Sequence, residues 1–156
     1  MKAVMSIVVA LACGLCASGK CAAAEKPPAA EPAKQGIAGK VLQWKGDFMP
    51  PVDPTRGTRT PVSVPLYVFK GTIEPFEKPD PKHPALLKTT RSDKKGEYRV
   101  GIEPGTYTVV AEINGKLYLN SYQSDPKTQK NIWTPVEVEA GKWATWNIDD
   151  TSQATF

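Results

Sequence analysis

From residue 37 onward, apolar and polar positions alternate with a period of two, the pattern of strands buried on one face. Residues 37–44 (IAGKVLQW) predict a first strand. In residues 62–69, Val62, Val64, Leu66 and Val68 share a face, and Pro65 lacks an amide donor, which predicts a sheet edge or a bulge. Residues 86–92 form a weaker strand candidate. Tyr98, Val100 and Ile102 face one way in the next strand, and Tyr107, Val109, Ala111 and Ile113 do so in the one after. KLYLN follows Asn114-Gly115, a strong hairpin signal. TPVEVEA and KWATWNI complete the set, joined across Ala140-Gly141. No window holds a helical period over three turns, and fifteen prolines and twelve glycines punctuate the chain too often for long helices. The expectation is an all-β domain, an antiparallel sandwich of seven to eight strands with Greek-key crossings. Two Pro-rich loops, residues 45–61 and 70–85, are long enough to suggest a function.

The first residues follow a different pattern. Lys2 precedes an apolar run that ends in small residues before Glu25, which predicts a secretory signal peptide over residues 1–24. Residues 25–36 hold Pro27, Pro28 and Pro32 among Ala, Glu and Lys, and read as an extended linker. The domain then spans 37–150, with 151–156 as a tail. Cleavage would remove all three cysteines, Cys13, Cys16 and Cys21, so the mature chain would have no thiol or disulfide. A rival reading makes Cys13 or Cys21 a lipid anchor, although neither has the residues expected before a lipidation site. Loss of Lys2 and Lys20 lowers the formal charge from +4 to +2, which gives no electrostatic case for nucleic acid. No later segment is apolar enough for a transmembrane helix. The chain is thus expected to be exported, periplasmic or extracellular.

Three motifs occur in order: GKV at residues 39–41; Thr90, Ser92, Asp93, Gly96 and Tyr98 in TRSDKKGEY; and PGTYTV at residues 104–109. Together they resemble the carboxypeptidase regulatory-like domain family, over roughly residues 37–148. The resemblance implies a transthyretin-like (prealbumin-like) β-sandwich. WKGDFMP at residues 44–50 and the ending NIDDTSQATF are similar to small stand-alone secreted bacterial members. The resemblance bears on fold far more than on function.

The motif residues themselves read as turn chemistry. Calcium wants six to eight oxygens, yet Asp93 is followed by Lys94 and Lys95. Asp93 is expected to cap its own turn, with Gly96 at positive φ. Pro104-Gly105 predicts a type II turn, with Tyr107 pointing inward or bracing it through its hydroxyl. His83 is the only histidine and lies between prolines. Two enzyme types of related architecture fail on that count: 5-hydroxyisourate hydrolases use several histidines and a C-terminal Tyr-Arg-Gly-Ser, and intradiol dioxygenases hold iron with two histidines and two tyrosines. Asp149 and Asp150 are expected on opposite faces at a solvated strand end. Glutamates 97, 112, 137 and 139 alternate with apolar residues, and a carboxylate pair among them stays open. No metal site and no cofactor is expected.

Four tryptophans are many for this length. Trp143 and Trp146 must face opposite sides of a regular strand, one toward the core and one outward. The candidate binding residues are Trp44, Asp47, Phe48, Met49, Tyr118, Tyr122, Trp133 and Trp143, with Arg56 and Arg59 nearby. Aromatics of this kind fill a core, stack on sugars or anchor protein partners. The leading expectation is a non-catalytic module that binds or scaffolds a protein or carbohydrate partner at the bacterial cell envelope. The alternatives are a small carboxylate-dependent hydrolase and a structural or anchoring subunit that pairs by an edge strand.

Overall fold

The structure is a computed structural model that describes residues 34–50 and 55–156. The expected signal peptide, the linker up to residue 33, the cysteines and residues 51–54 of the first long loop lie outside the described residues. Among the described residues every regular element is a strand, twelve in all, and none is a helix.

β1 (Gly36–Asp47) is the spine of the first sheet. Its first half pairs antiparallel with β5 (Glu97–Gly101) and parallel with β11 (Trp143–Thr145). Its second half pairs antiparallel with β2 (Gly57–Pro61) and parallel with β12 (Ile148–Thr155). The second sheet runs β10 (Val136–Val138), β6 (Gly105–Ile113), β3 (Pro65–Lys70), β4 (Leu86–Arg91), and β7 (Lys116–Tyr118) folds back onto β6. A separate hairpin joins β8 (Tyr122–Ser124) to β9 (Asn131–Trp133). The parallel pairs depart from the purely antiparallel expectation.

Alternation explains the core. Ile37, Val41, Tyr98, Val100 and Ile148 of the first sheet pack in one buried cluster with Leu66, Val68, Tyr107, Val109, Val136 and Val138 of the second. That arrangement is consistent with a β-sandwich. β6 is also buried on its other face, where Thr108 and Val110 are fully covered. The cover comes from residues 71–85 and the β8–β9 hairpin. Phe69 meets Phe76 at 5.7 Å and His83 at 5.2 Å, and Phe76 meets Trp133 at 5.6 Å. The Trp133 amide donates to the Ile73 carbonyl, the Leu117 amide donates to the Glu77 carbonyl, and Lys130 pairs with Glu74 at 2.7 Å. The second long loop is therefore a packed layer.

Gly39, Ser92, Asp93, Gly96 and Tyr98 support β1 or the turns beside it. A Cβ on Gly39 would fall 1.8 Å from the Trp146 carbonyl oxygen, and that oxygen accepts from the Tyr98 hydroxyl at 2.5 Å. β11 and β12 are thus one strand interrupted where Trp146 turns its carbonyl inward. The Asn147 side chain fills the gap by accepting from the Lys40 amide at 2.9 Å. Gly96 has φ +73°, and a Cβ there would meet the Val41 carbonyl at 2.5 Å. Asp93 Oδ1 accepts from the amides of Lys95 and Glu97, both at 2.8 Å, as expected of a turn cap. Buried Ser92 donates to the Val62 carbonyl and accepts from the Val64 amide. Asn114 and Gly115 both take positive φ, which fits the right-handed twist of their hairpin.

Several expectations are corrected. The strand expected at residues 62–69 starts at Pro65, and it lies between β4 and β6 instead of at an edge, although its pairing with β4 carries a register irregularity between Val68 and Phe69. Proline is tolerated there because it is the first strand residue. Gly105 has φ +155°, not the value of a type II turn; Tyr107 braces this corner by donating to the Glu103 carbonyl at 2.9 Å. Ala140-Gly141 links strands of different sheets. The first long loop is largely a hairpin, because β1 runs on to Asp47 and β2 returns beside it. Residues 151–155 are strand, not tail. Asp150 is fully buried, not solvated, and accepts from Gln43 Nε2 at 3.0 Å and the Ser152 amide at 3.0 Å.

Gly39→Ala is expected to cost about 3 kcal/mol, because the Trp146 backbone must move; urea unfolding checks this. Burial pushes the Tyr98 hydroxyl well above its usual value of 10.0, and a hydrogen bond to Glu112 pushes Tyr67 up as well. A tyrosine with a raised folded value holds its proton longer in the folded state. Its stabilisation is therefore complete below about pH 10 and is lost as pH rises beyond that. Tyr98→Phe should cost about 1–3 kcal/mol at neutral pH and flatten this alkaline loss, as read by thermal melts between pH 8 and 11.

Candidate functional site

With Ile37 and Val41 in the core, the even-numbered residues Ala38, Lys40, Leu42 and Trp44 point away from it. They form the middle of the exposed face of the first sheet, and this face carries aromatic residues at both ends.

At one end Trp44 meets Phe48 at 5.0 Å and Phe156 at 6.0 Å, and Phe48 stacks on Phe156 at 5.9 Å. Arg59, opposite Trp44 on β2, lays its guanidinium 3.8 Å from the Trp44 ring centre. The indole N–H of Trp44 donates to Asp149 at 3.1 Å. Local sequence dictates this packing. Gly46, at φ +109°, bends the end of β1, and Gly57 leaves the space that the Phe48 ring occupies. Asp47 accepts from the Met49 amide and pairs with Arg56, which holds the turn, and the Phe48 amide donates to the Thr155 carbonyl at 2.8 Å. Met49 and Phe156 stay 46% and 63% exposed.

At the other end, Arg99 lies 3.7 Å over the Trp143 ring. Strand register sets this pair, since Ala38 sits between Arg99 and Thr145, and Gly36 sits beside Trp143. Next along the face, Lys40 pairs with Glu97 at 3.0 Å. A shallow concavity of about 620 Å³ lies here, floored by Ala38 and Gly39. Asn147, Thr145 and Asp93 complete its wall.

The remaining candidates are scattered. Trp133 is 1% exposed inside the layer that covers the second sheet, so it offers no binding surface. The Tyr118 hydroxyl bonds Thr151 through both Oγ1 and the amide, at 3.0 and 3.1 Å, and ties the two sheets together. Tyr122 is exposed on β8, across from Trp133 in the hairpin register. Trp133 therefore cannot share an exposed surface with Phe48, Met49, Tyr118 and Tyr122. Trp143 and Trp146 do face opposite ways, with Trp146 packed against the core. His83 stacks on Phe76 at 5.2 Å, and its Nδ1 accepts from the Ala85 amide, so its role here is packing. Among the described residues no group of three or more His, Cys, Asp or Glu side chains is placed to hold a metal ion. No protein-family model, curated protein or solved structure matches the chain.

Arg99, Asn147 and Phe156 were not among the candidates. Arg99 occupies an ordinary outward position of an alternating strand, and only its cross-strand neighbours make it part of a site. Phe156 becomes legible once the last residues are known to be strand.

A guanidinium stacked on an indole is held by its face, and its N–H edge stays in the plane of approach. Such a group binds carboxylate, phosphate or sulfate in a bidentate manner. The two stacks lie about 20 Å apart, six strand residues along β1. In variants that keep a single tryptophan, Trp143 should be readily quenched by acrylamide and Trp133 protected. Similar quenching of both would contradict the assigned burial.

Proposed function

We propose that this chain is a non-catalytic, exported binding module of the carboxypeptidase regulatory-like type, and that it holds its partner at the bacterial cell envelope. The outer face of the first sheet is the surface it uses. The observation that carries this reading is the pair of arginine-on-tryptophan stacks, Arg59 on Trp44 and Arg99 on Trp143, at the two ends of one exposed face. Neither arginine has a carboxylate partner among the described residues. Stacked arginines and tryptophans dominate the energetics of many binding surfaces.

The structural roles of Gly39, Ser92, Asp93, Gly96 and Tyr98 support the family reading, since every one of them braces β1 or the turns around it. The hydroxyl brace from Tyr107 to Glu103 also resembles the tyrosine corner of Greek-key sandwiches. The state of the carboxylates near the groove supports a non-catalytic role. Asp93 is engaged by two amides and Glu97 by Lys40.

Immobilised full-length chain, incubated with solubilised bacterial envelope, should retain a saturable component. The double variant Arg59→Ala/Arg99→Ala should lose at least nine-tenths of it while melting within a few degrees of the parent, because both side chains are exposed. Equal retention by parent and variant would remove this face from consideration. No saturable retention by the parent would end the binding reading.

A further inference from the structure

We infer that the groove beside Arg99 takes the carboxylate-bearing unit of an acidic saccharide. This rests on the binding-module reading above and deepens it by naming the ligand class and the subsite.

The groove floor is as low as a protein surface allows. Ala38 presents one methyl group there, and Gly39 presents only backbone. A flat ring can therefore lie close to the backbone. The volume, about 620 Å³, is in the range of small-ligand sites, roughly 300–1,000 Å³.

The rim presents donors with fixed orientation. Arg99 is held flat on Trp143, which leaves its N–H fork free for a carboxylate. The Oδ1 atom of Asn147 is committed to the Lys40 amide, so the side-chain N–H₂ is the end left to meet a ligand. Thr145 and Lys40 line the same groove, with the Lys40 ammonium paired to Glu97 at 3.0 Å.

The same rim also carries Asp93 and Glu97. These two carboxylates decide between anionic ligand classes. An acidic peptide or a phosphate-rich surface would set charge against them with few hydroxyl donors to offset it, and like charges at short range are unfavourable. A sugar acid places one carboxylate on Arg99 and turns its hydroxyls, which donate hydrogen bonds, toward Asp93 and Glu97. A neutral sugar would leave the Arg99 fork without its anion. Mixed donors and acceptors around a stacked guanidinium therefore fit a uronate-type unit best. The Arg59 stack, about 20 Å further along β1, offers a second anion contact for a longer chain of such units.

The test is calorimetric titration of the full-length chain with trigalacturonate, its methyl ester and triglutamate, each at low and high NaCl. Trigalacturonate should bind at least tenfold more tightly than the ester, and its affinity should fall as salt rises. Arg99→Gln should weaken it at least tenfold, and Arg99→Lys should recover little, because a lysine keeps the charge but loses the fork. Unchanged thermal melts confirm that both variants fold. Equal binding of the ester, or triglutamate binding as tightly as trigalacturonate, would overturn the assignment. So would absence of trigalacturonate binding by a chain that still retains its envelope component through the same face. In that last case the binding module stands and only the saccharide assignment falls. No retention and no titration together would remove both.

Discussion

The carbonyl oxygen of Trp146 occupies the space where residue 39 would otherwise carry a side chain, and the Tyr98 hydroxyl holds it there at 2.5 Å. This contact joins three segments that are far apart in sequence: the first strand, the strand after the SDKKGE turn, and the last strand. It sets where β11 ends and β12 begins. It thereby fixes which residues of β12 face the core and which lie beside Trp44. It also brings Asn147 to the Lys40 amide, which shapes one wall of the groove. A buried hydroxyl–carbonyl bond is worth only about 1 kcal/mol net, but leaving either group unpaired there costs more. The geometry is therefore strongly specified even though the bond itself is modest.

The second sheet follows a different logic. Both faces of β6 are buried, one against the first sheet and one against residues 71–85 and the β8–β9 hairpin. A domain of this size has a large surface for its volume. An outer layer containing Phe76, His83 and Trp133 buries more apolar area without adding a further sheet. It also leaves the first sheet as the one with an open outer face, the face that carries the two arginine stacks.

What could be read in the chain was local. Asn114-Gly115 specified its hairpin, Asp93 and Gly96 specified theirs, and the alternation through Tyr107, Val109 and Ala111 specified which face is buried, because a few neighbouring residues carry each signal. The fate of the tryptophans was not legible. Trp133 sits in a short strand of the same character as others, and only the arrival of Phe76 from a loop fifty-seven residues earlier encloses it. Asp150 looked solvated because its partner, Gln43, lies 107 residues away. The candidate site had the same difficulty. Trp44, Asp47, Phe48 and Met49 are neighbours in sequence and remain neighbours in space. Arg59 on Trp44, Arg99 on Trp143 and Phe156 on Phe48 depend on strand register, which alternation alone does not supply.

The pairing of β1 with β12 also sets an order of events. Val41 lies opposite Ile148, so the first strand of the domain gains one of its neighbours from a segment more than a hundred residues later in the chain. Contacts this distant in sequence form late, after loop-closure entropy has been overcome. Until then β1 exposes an unpaired edge and the apolar Ile37 and Val41. The first sheet therefore cannot close from local pairings alone. The sheet is complete only once β12 has docked beside β1.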